Sequence, residues 1–374
     1  MSTALIDMQQ HILCTKLQRP PVAPDILPWA RLLDRLNEGR HRTLTLISAP
    51  AGYGKSTLAS RWVAASDSPS AWISLEESDS DLRTFLSYVL AAIRSLFPKT
   101  ELRTEALLEA SQLPSVAVLA RYLLNDLHQI TEPFILVLDD LHRTHGSSVQ
   151  DLLSEILANP SQNMHLVLLT RRDPAFSISR MRGQGQLTEI RAADLRFKPA
   201  EAAAFLNRKL KVPVDDATAA LLEEKTEGWV TGLRLAGLYL SDQDDLKHRV
   251  QELRGSSRHI AEYLVAEVLA RQNPEIKAYL LETSILDRFC APLCQAVHSK
   301  GMEGRSGKQG LDVQRVIDWL VKANIFVIPL EDQGYWFRYH HLFQDFLQSQ
   351  LRKQTPIQSP SCTCRPANGS PKTA

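Results

Sequence analysis

The chain has 374 residues, of which 44% are hydrophobic and 23% charged, with 43 Lys and Arg against 42 Asp and Glu. That length exceeds one compact domain and predicts about two or three, while a formal net charge of +1 excludes a global pull on nucleic acid, so any polyanion site has to be local. No apolar run approaches the ~20 residues that span a bilayer, and the opening MSTALIDMQQHILCTKLQRP has no basic segment leading into an apolar core, so a cytoplasmic protein without membrane association is expected.

In chain order, TLTLIS, ending at Ser48, is short, apolar and β-branched and predicts a first strand. LASRWVAA, with Leu58 and Trp62 one turn apart, predicts a helix after it. AWISL (71–75), FILVL (134–138), HLVLL (165–169) and LTEIR (187–191) predict further strands. Between them FLSYVLAAIRSLF, VAVLARYLLNDLHQI and SVQDLLSEILAN repeat apolar residues at helical spacing, and this βαβα order predicts a parallel sheet covered by helices on both faces. A purely helical region begins near Pro199 and includes Trp229 to Leu240. From about Ser257, AEYLVAEVLARQ, PEIKAYLLETSIL and VQRVIDWLVKA lead to IFVIPL and YWFRYH with EDQG as a turn between them, and helices followed by a small hairpin predict a winged-helix module. The five cysteines are odd in number and scattered; Cys290 and Cys294, one turn apart, lack two further zinc ligands and read as core or surface residues.

The stretch ISAPAGYGKSTLASRW, between the first strand and its helix, carries two glycines, a lysine and two hydroxyls. Gly52 and Gly54 let the backbone, with Tyr53 between them, turn its amides toward phosphate oxygens, and the helix starting near Lys55 adds its dipole. Lys55 supplies a mobile charge, expected to face solvent when the site is empty, and Ser56, followed by Thr57, can ligate magnesium. This is a P-loop, GxxxxGK[ST], with Ala49 in place of the first glycine; the plain alternative is a Gly-rich turn with a surface lysine. FILVLDDLH ends an apolar strand in Asp139, placed to hold magnesium through water, and Asp140, which could orient or deprotonate an attacking water. AWISL between the two motifs fits the P-loop division that inserts a strand there. After the next strand, Arg171 is the choice for sensing a γ-phosphate, against arginines that merely pair with surface acids.

SAPAGYGKSTLASRW, VLDDLH, LLTRRDP, GQLTEIRAADLRF, TEGWVTGLRLAGL, YLVAEVLARQ, TSILDRFCAPLC and FRYHHLFQDFL, in that order, closely resemble MalT-type regulators, the large ATP-binding members of the LuxR transcription-factor group within the STAND class of P-loop ATPases. The resemblance implies an α/β P-loop NTPase with a parallel sheet, followed by an all-α helical domain and a winged-helix domain that close over ADP. ATP plus an inducer would open the molecule and permit self-association. It implies Gly52, Tyr53, Gly54, Lys55, Ser56 and Thr57 as the phosphate loop, and Ser56 and Asp139 for Mg2+. Asp140, Lys55 and Arg171 become the catalytic set, and His340 the winged-helix histidine that touches the β-phosphate of ADP, unless the local hairpin satisfies it. His341 is structural. Trp229 and Val230 stand where relatives often have Trp-Pro, and TKLQRP with Ile26 and Leu27 matches a segment that flanks the adenine.

The expected organisation is a lead-in over 1–25, the P-loop NTPase domain over 26–196, a small helical domain over 197–256, a winged-helix-like lid over 257–350 and a disordered tail, rich in Pro, Ser and Thr, over 351–374. Relatives continue into a repeat sensor and a helix-turn-helix, whereas here the pattern stops at QSQLRKQ, so neither is expected. The stretch 257–350 also has no dense Lys/Arg cluster. The expectation is an ATP/ADP-dependent switch with slow hydrolysis, which self-associates in the ATP state or with full-length relatives and does not itself bind a DNA sequence. The alternative is a non-hydrolysing nucleotide-binding module that modulates oligomers of full-length relatives.

Overall fold

In the chain's computed structural model, residues 12–22, 29–209, 214–240, 246–301, 312–331 and 335–354 are described. Helix α1 (Ala30–Glu38) precedes β1 (Leu44–Ser48), α2 (Lys55–Ala64), β2 (Ser70–Ser74), α3 (Leu82–Leu96), α4 (Val116–His128), β3 (Phe134–Asp139), α5 (Ser148–Ala158), β4 (Met164–Thr170) and β5 (Leu187–Arg191). The strands form one parallel sheet in the order β2-β3-β4-β1-β5. β1, β3 and β4 are buried along their whole length, which is why they read as continuous apolar runs and not as alternating ones. Register sets Ser48 beside Thr170 and Leu138 beside Leu168, so the carboxyl ends of the three central strands open on one rim, where ligands bind in open α/β sheets.

Alternate residues of these strands enter two different cores. Leu46, Leu136 and Leu168 pack with the residues of α3 to α5. Ile47, Val137, Val167 and Leu169 join a second core that runs on into the carboxyl-terminal half through Trp229, Phe326 and Phe343. That half holds α6 (Pro199–Lys209), α7 (Asp216–Thr226), α8 (Val230–Leu240) and α9 (Leu246–Glu252). It continues with α10 (Arg258–Leu264), a π-helical turn over Val265–Leu269, α11 (Pro274–Thr283), α12 (Ala291–Gly301) and α13 (Val313–Lys322). An antiparallel hairpin of β6 (Val327–Pro329) and β7 (Phe337–Tyr339), and α14 (His341–Gln354), complete it.

The hairpin is shorter than its two apolar runs, because Asn324 and Phe326 both adopt φ of 50° and pairing starts only at Val327. Residues 332–334 of EDQG lie outside the described residues, as do Ile26 and Leu27 and most of the expected tail, but α14 carries the chain in helix to Gln354. Cys290 and Cys294 are core residues. Among the described residues no helix is long and apolar enough to cross a membrane.

Candidate functional site

The loop after β1 has the backbone a phosphate cradle needs. Gly52 and Gly54 lie at φ of 76° and 82°, where a side chain is strained. A Cβ at Gly52 would come within 2.6 Å of Thr231 Oγ1 and 2.8 Å of the Tyr263 hydroxyl, and one at Gly54 within 2.7 Å of the Trp29 ring. Gly54 caps α2, whose first turn has no acidic residue and no side-chain cap, so its leading amides and its dipole are left for an anion.

Lys55 does not face solvent, contrary to expectation. It is buried, with Nζ donating to the carbonyls of Ala49 at 2.9 Å and Pro50 at 3.0 Å. The physical reason is that a buried ammonium must find acceptors, and the loop's own carbonyls are within reach. Burial first, then the Arg171 charge, lower its pKa to about 8, against the pull of Asp140 and Asp139. Tyr53 is also buried, its ring 6.4 Å from Phe326, and burial raises its hydroxyl to about 12.

At the rim, Ser56 Oγ donates to Asp139 Oδ1 at 3.0 Å, and the Asp140 amide donates to the same oxygen at 2.9 Å. Burial and the neighbouring Asp140 raise the Asp139 carboxyl to about 6. Asp140, at φ 58°, turns its side chain outward, with 39% of it exposed, to 3.7 Å from His142 Nδ1. Burial and the Arg171 charge lower His142 to about 2, so this imidazole is neutral. Among the described residues no cluster of His, Cys, Asp and Glu makes a closed metal cage. The hydroxyl and carboxylate pair is of the kind that could serve a magnesium ion, which keeps most of its waters and leans on phosphate oxygens.

Arg171 and His340 are both engaged by residues distant in sequence. Arg171 Nη2 lies 3.1 Å from Glu267 Oε2, 96 residues on and in the π-helical turn, and its backbone carbonyl accepts from Asn324 Nδ2 at 2.9 Å. His340 is 1% exposed. Its Nε2 lies 2.9 Å from the Thr226 carbonyl at the end of α7, so its partner belongs to the helical region and not to the hairpin. Its Nδ1 is buried with no partner, and burial lowers the imidazole to about 4. Trp229 and Phe326 stand edge-on to the ring at 5.9 and 5.5 Å.

Several contacts went unrecognised in the sequence, where resemblance marked Trp229 and the TKLQRP segment of Lys16 and Arg19 but not what they touch, and Thr231 and Glu227 were not marked at all. Trp229 Nε1 donates to the Ala51 carbonyl at 3.2 Å, and Thr231 donates to the Gly52 carbonyl from its amide at 3.1 Å and its hydroxyl at 2.8 Å. Glu227, in a left-handed cap at φ 49°, receives Arg338 Nη1 at 2.7 Å, Arg338 Nη2 at 2.9 Å and the His341 amide at 2.9 Å, with Arg196 at 3.7 Å. Burial works to raise its pKa, but the Arg338 hydrogen bonds, His340 and the His341 amide hold it down at about 2. The available signal was Glu227-Gly228 at the end of a helical pattern, a C-cap whose glutamate is nonetheless buried. In the lead-in, Lys16 pairs with Asp79 and lies over the Tyr88 ring, while Arg19 donates to the Ser60 carbonyl of α2 at 2.9 Å.

Residues 29–169 match the family described as AAA ATPase domain, and residues 265–359 match the MalT winged helix domain. The chain is 31% identical over 348 residues to the HTH-type transcriptional regulator MalT of Klebsiella pneumoniae strain 342, covering 92% of this chain and 37% of that one. It is 31% identical over 357 residues to MalT of Serratia proteamaculans strain 568, covering 95% of this chain and 38% of that one. The chain thus spans well under half the length of these relatives. A Walker-type ATPase of Pyrococcus abyssi shares the fold at a TM-score of 0.59 and 16% identity, over 91% of this chain and 100% of that one. With a P-loop on a parallel sheet, a helical region and a winged helix in one continuous core, the chain belongs to the MalT-type regulators and constitutes an ATPase module of that family.

Proposed function

We propose that this module is a nucleotide-dependent switch that binds ADP or ATP with magnesium and hydrolyses ATP slowly. The observation that carries the reading is the clamp on the phosphate loop: Trp229 and Thr231 of the helical region hold the carbonyls of Ala51 and Gly52. A ligand that settles in the loop therefore bears directly on the position of the downstream domains, and it shifts them by its differential affinity for the two arrangements.

In this reading the amides of Gly52, Tyr53, Gly54, Lys55, Ser56 and Thr57 cradle the phosphates, and Lys55 leaves the Ala49 and Pro50 carbonyls to meet them. Ser56 and Asp139 hold the magnesium ion, which supplies charge neutralisation for the phosphates. Asp140, exposed beside neutral His142, orients or accepts a proton from the attacking water. His340 meets the β-phosphate in this reading only once its Nδ1 takes a proton, because Nε2–H is spent on the Thr226 carbonyl and the bare Nδ1 of the neutral ring accepts but does not donate. The curated relatives are named as transcriptional regulators. For this chain we propose cytoplasmic self-association in the ATP state, alone or with full-length relatives, and no sequence-specific DNA binding of its own. The buried Phe337 and Tyr339 of the hairpin support that last point, because the wing is engaged in the core.

The test is the nucleotide content of freshly purified protein together with Lys55→Ala. Co-purified ADP and abolished binding in the variant are expected; equal ATP affinity in variant and parent refutes the assignment. Single-turnover hydrolysis separates the switch from a pure nucleotide binder, which shows none.

A further inference from the structure

We infer that Glu267 sets the preference of this chain between nucleoside diphosphate and triphosphate, by competing with a terminal phosphate for Arg171. The inference rests on the nucleotide reading above and names the residue that decides between the two ligands.

Glu267 takes Arg171 twice, through Oε2 at 3.1 Å and, more weakly, through its backbone carbonyl at 3.4 Å. Both contacts come from the turn Val265–Leu269, where the Ala270 amide donates to the Val265 carbonyl five residues back. Such π-turns are rare and concentrate at functional sites, because the widened backbone re-aims side chains that a regular helix would direct elsewhere. The pair is only partly open to water, with 21% of the Arg171 side chain and 31% of the Glu267 side chain exposed.

The backbone of Arg171 is fixed while its side chain has an alternative. Asn324 Nδ2 holds the Arg171 carbonyl at 2.9 Å and reaches Ser48 Oγ, at the end of β1, at 3.4 Å. Arg171 thus stands at the strand rim beside the phosphate loop, close enough that its charge helps lower the pKa of Lys55. A cavity of about 460 Å³, lined by Ala51, Arg171, Glu267, Arg271, Asn324 and Phe326 among others, gives the guanidinium room to move. Glu267 also has a second cation, Arg271 Nη2 at 2.9 Å from the same oxygen. When Arg171 leaves, the carboxylate is not left unpaired, so the exchange avoids the cost of an orphaned charge. A diphosphate has no group beyond the β-position to draw Arg171 away. A triphosphate does, and its added negative charge contends with one carboxylate for one guanidinium. Glu267 therefore opposes the triphosphate and leaves the diphosphate untouched.

The experiment measures binding of Mg-ADP and of a non-hydrolysable Mg-ATP analogue to the full chain by calorimetry. Glu267→Gln should raise analogue affinity about fivefold, with ADP affinity unchanged within error, and the gain should vanish in an Arg171→Met background. Arg271→Gln, which leaves Glu267 with Arg171 alone, should move the triphosphate-to-diphosphate ratio the other way and keeps the test open should Glu267→Gln fail to fold. Equal shifts for both nucleotides, no shift, a gain that persists without Arg171, or a raised ratio in Arg271→Gln each overturn the inference. A parent chain that binds neither nucleotide overturns the switch reading itself, a separate and recognisable result.

Discussion

Replacing Arg338 by Met tests how the winged helix is fastened to the helical region. The Glu227 carboxylate is 6% exposed and is held by the Arg338 fork across 111 residues. Its pKa is depressed from 4.5 to about 2, a difference worth on the order of 3 kcal/mol at neutral pH. Removing the arginine leaves a buried carboxylate with Arg196 at 3.7 Å and the His341 amide, and stranding a charge in this way costs about 3–5 kcal/mol. Arg338→Met should therefore destabilise the domain junction by about 3 kcal/mol at pH 7, read by urea titration and by faster amide exchange at 337–341. The depressed pKa also fixes the pH window. The stabilisation is fully present above the unfolded value of 4.5 and is lost as pH falls through about 2, so the gap between parent and variant should close over that interval. A loss below about 0.5 kcal/mol, the range of ordinary surface substitutions, or a loss that stays constant down to pH 2, would show that the Glu227 charge is not what the arginine stabilises.

Other perturbations have equally definite outcomes. Gly52→Ala places a Cβ at φ 76° and 2.6 Å from Thr231 Oγ1, and it should weaken nucleotide binding at least tenfold, as about 1–2 kcal/mol of left-handed strain adds to the clash; fluorescence titration with ADP checks it. Asp140→Asn should spare binding and slow single-turnover hydrolysis by about 10²–10⁴, and an unchanged rate would remove Asp140 from the mechanism. His340, lowered from 6.5 to about 4, binds no proton in the folded state over an interval where the unfolded chain does, so stability falls as pH drops from 6.5 toward 4, by up to about 3 kcal/mol. His340→Gln should reduce the fall in melting temperature over that interval relative to the parent, while the similarly lowered His165 and His142 keep part of the slope and Asp139, raised to about 6, opposes it in both proteins.

What was legible in the sequence is local. The parallel sheet could be read because β1, β3 and β4 are buried on both faces and so consist of unbroken apolar residues. Gly52, Gly54 and Lys55 could be read because a strand, a tight turn and a helix start follow one another directly. The hairpin was legible in kind but not in length, since Asn324 marks the end of the helix before it but the left-handed Phe326 leaves no mark in an apolar run.

Which charge meets which was decided by the tertiary structure alone. Lys55 turns onto Ala49 and Pro50, Arg171 meets Glu267 from 96 residues away, His340 meets the Thr226 carbonyl from 114 residues away, and Glu227 ties Arg338 and His341 to the end of α7. Apolar residues announce their partners by periodicity, because every member of a buried face obeys the same spacing. A single buried charge has no period. Its partner is whichever group the packing of the shared core brings within about 3 Å, and that core, joining one face of the sheet to Trp229, Phe326 and Phe343, exists only once the domains have closed on one another.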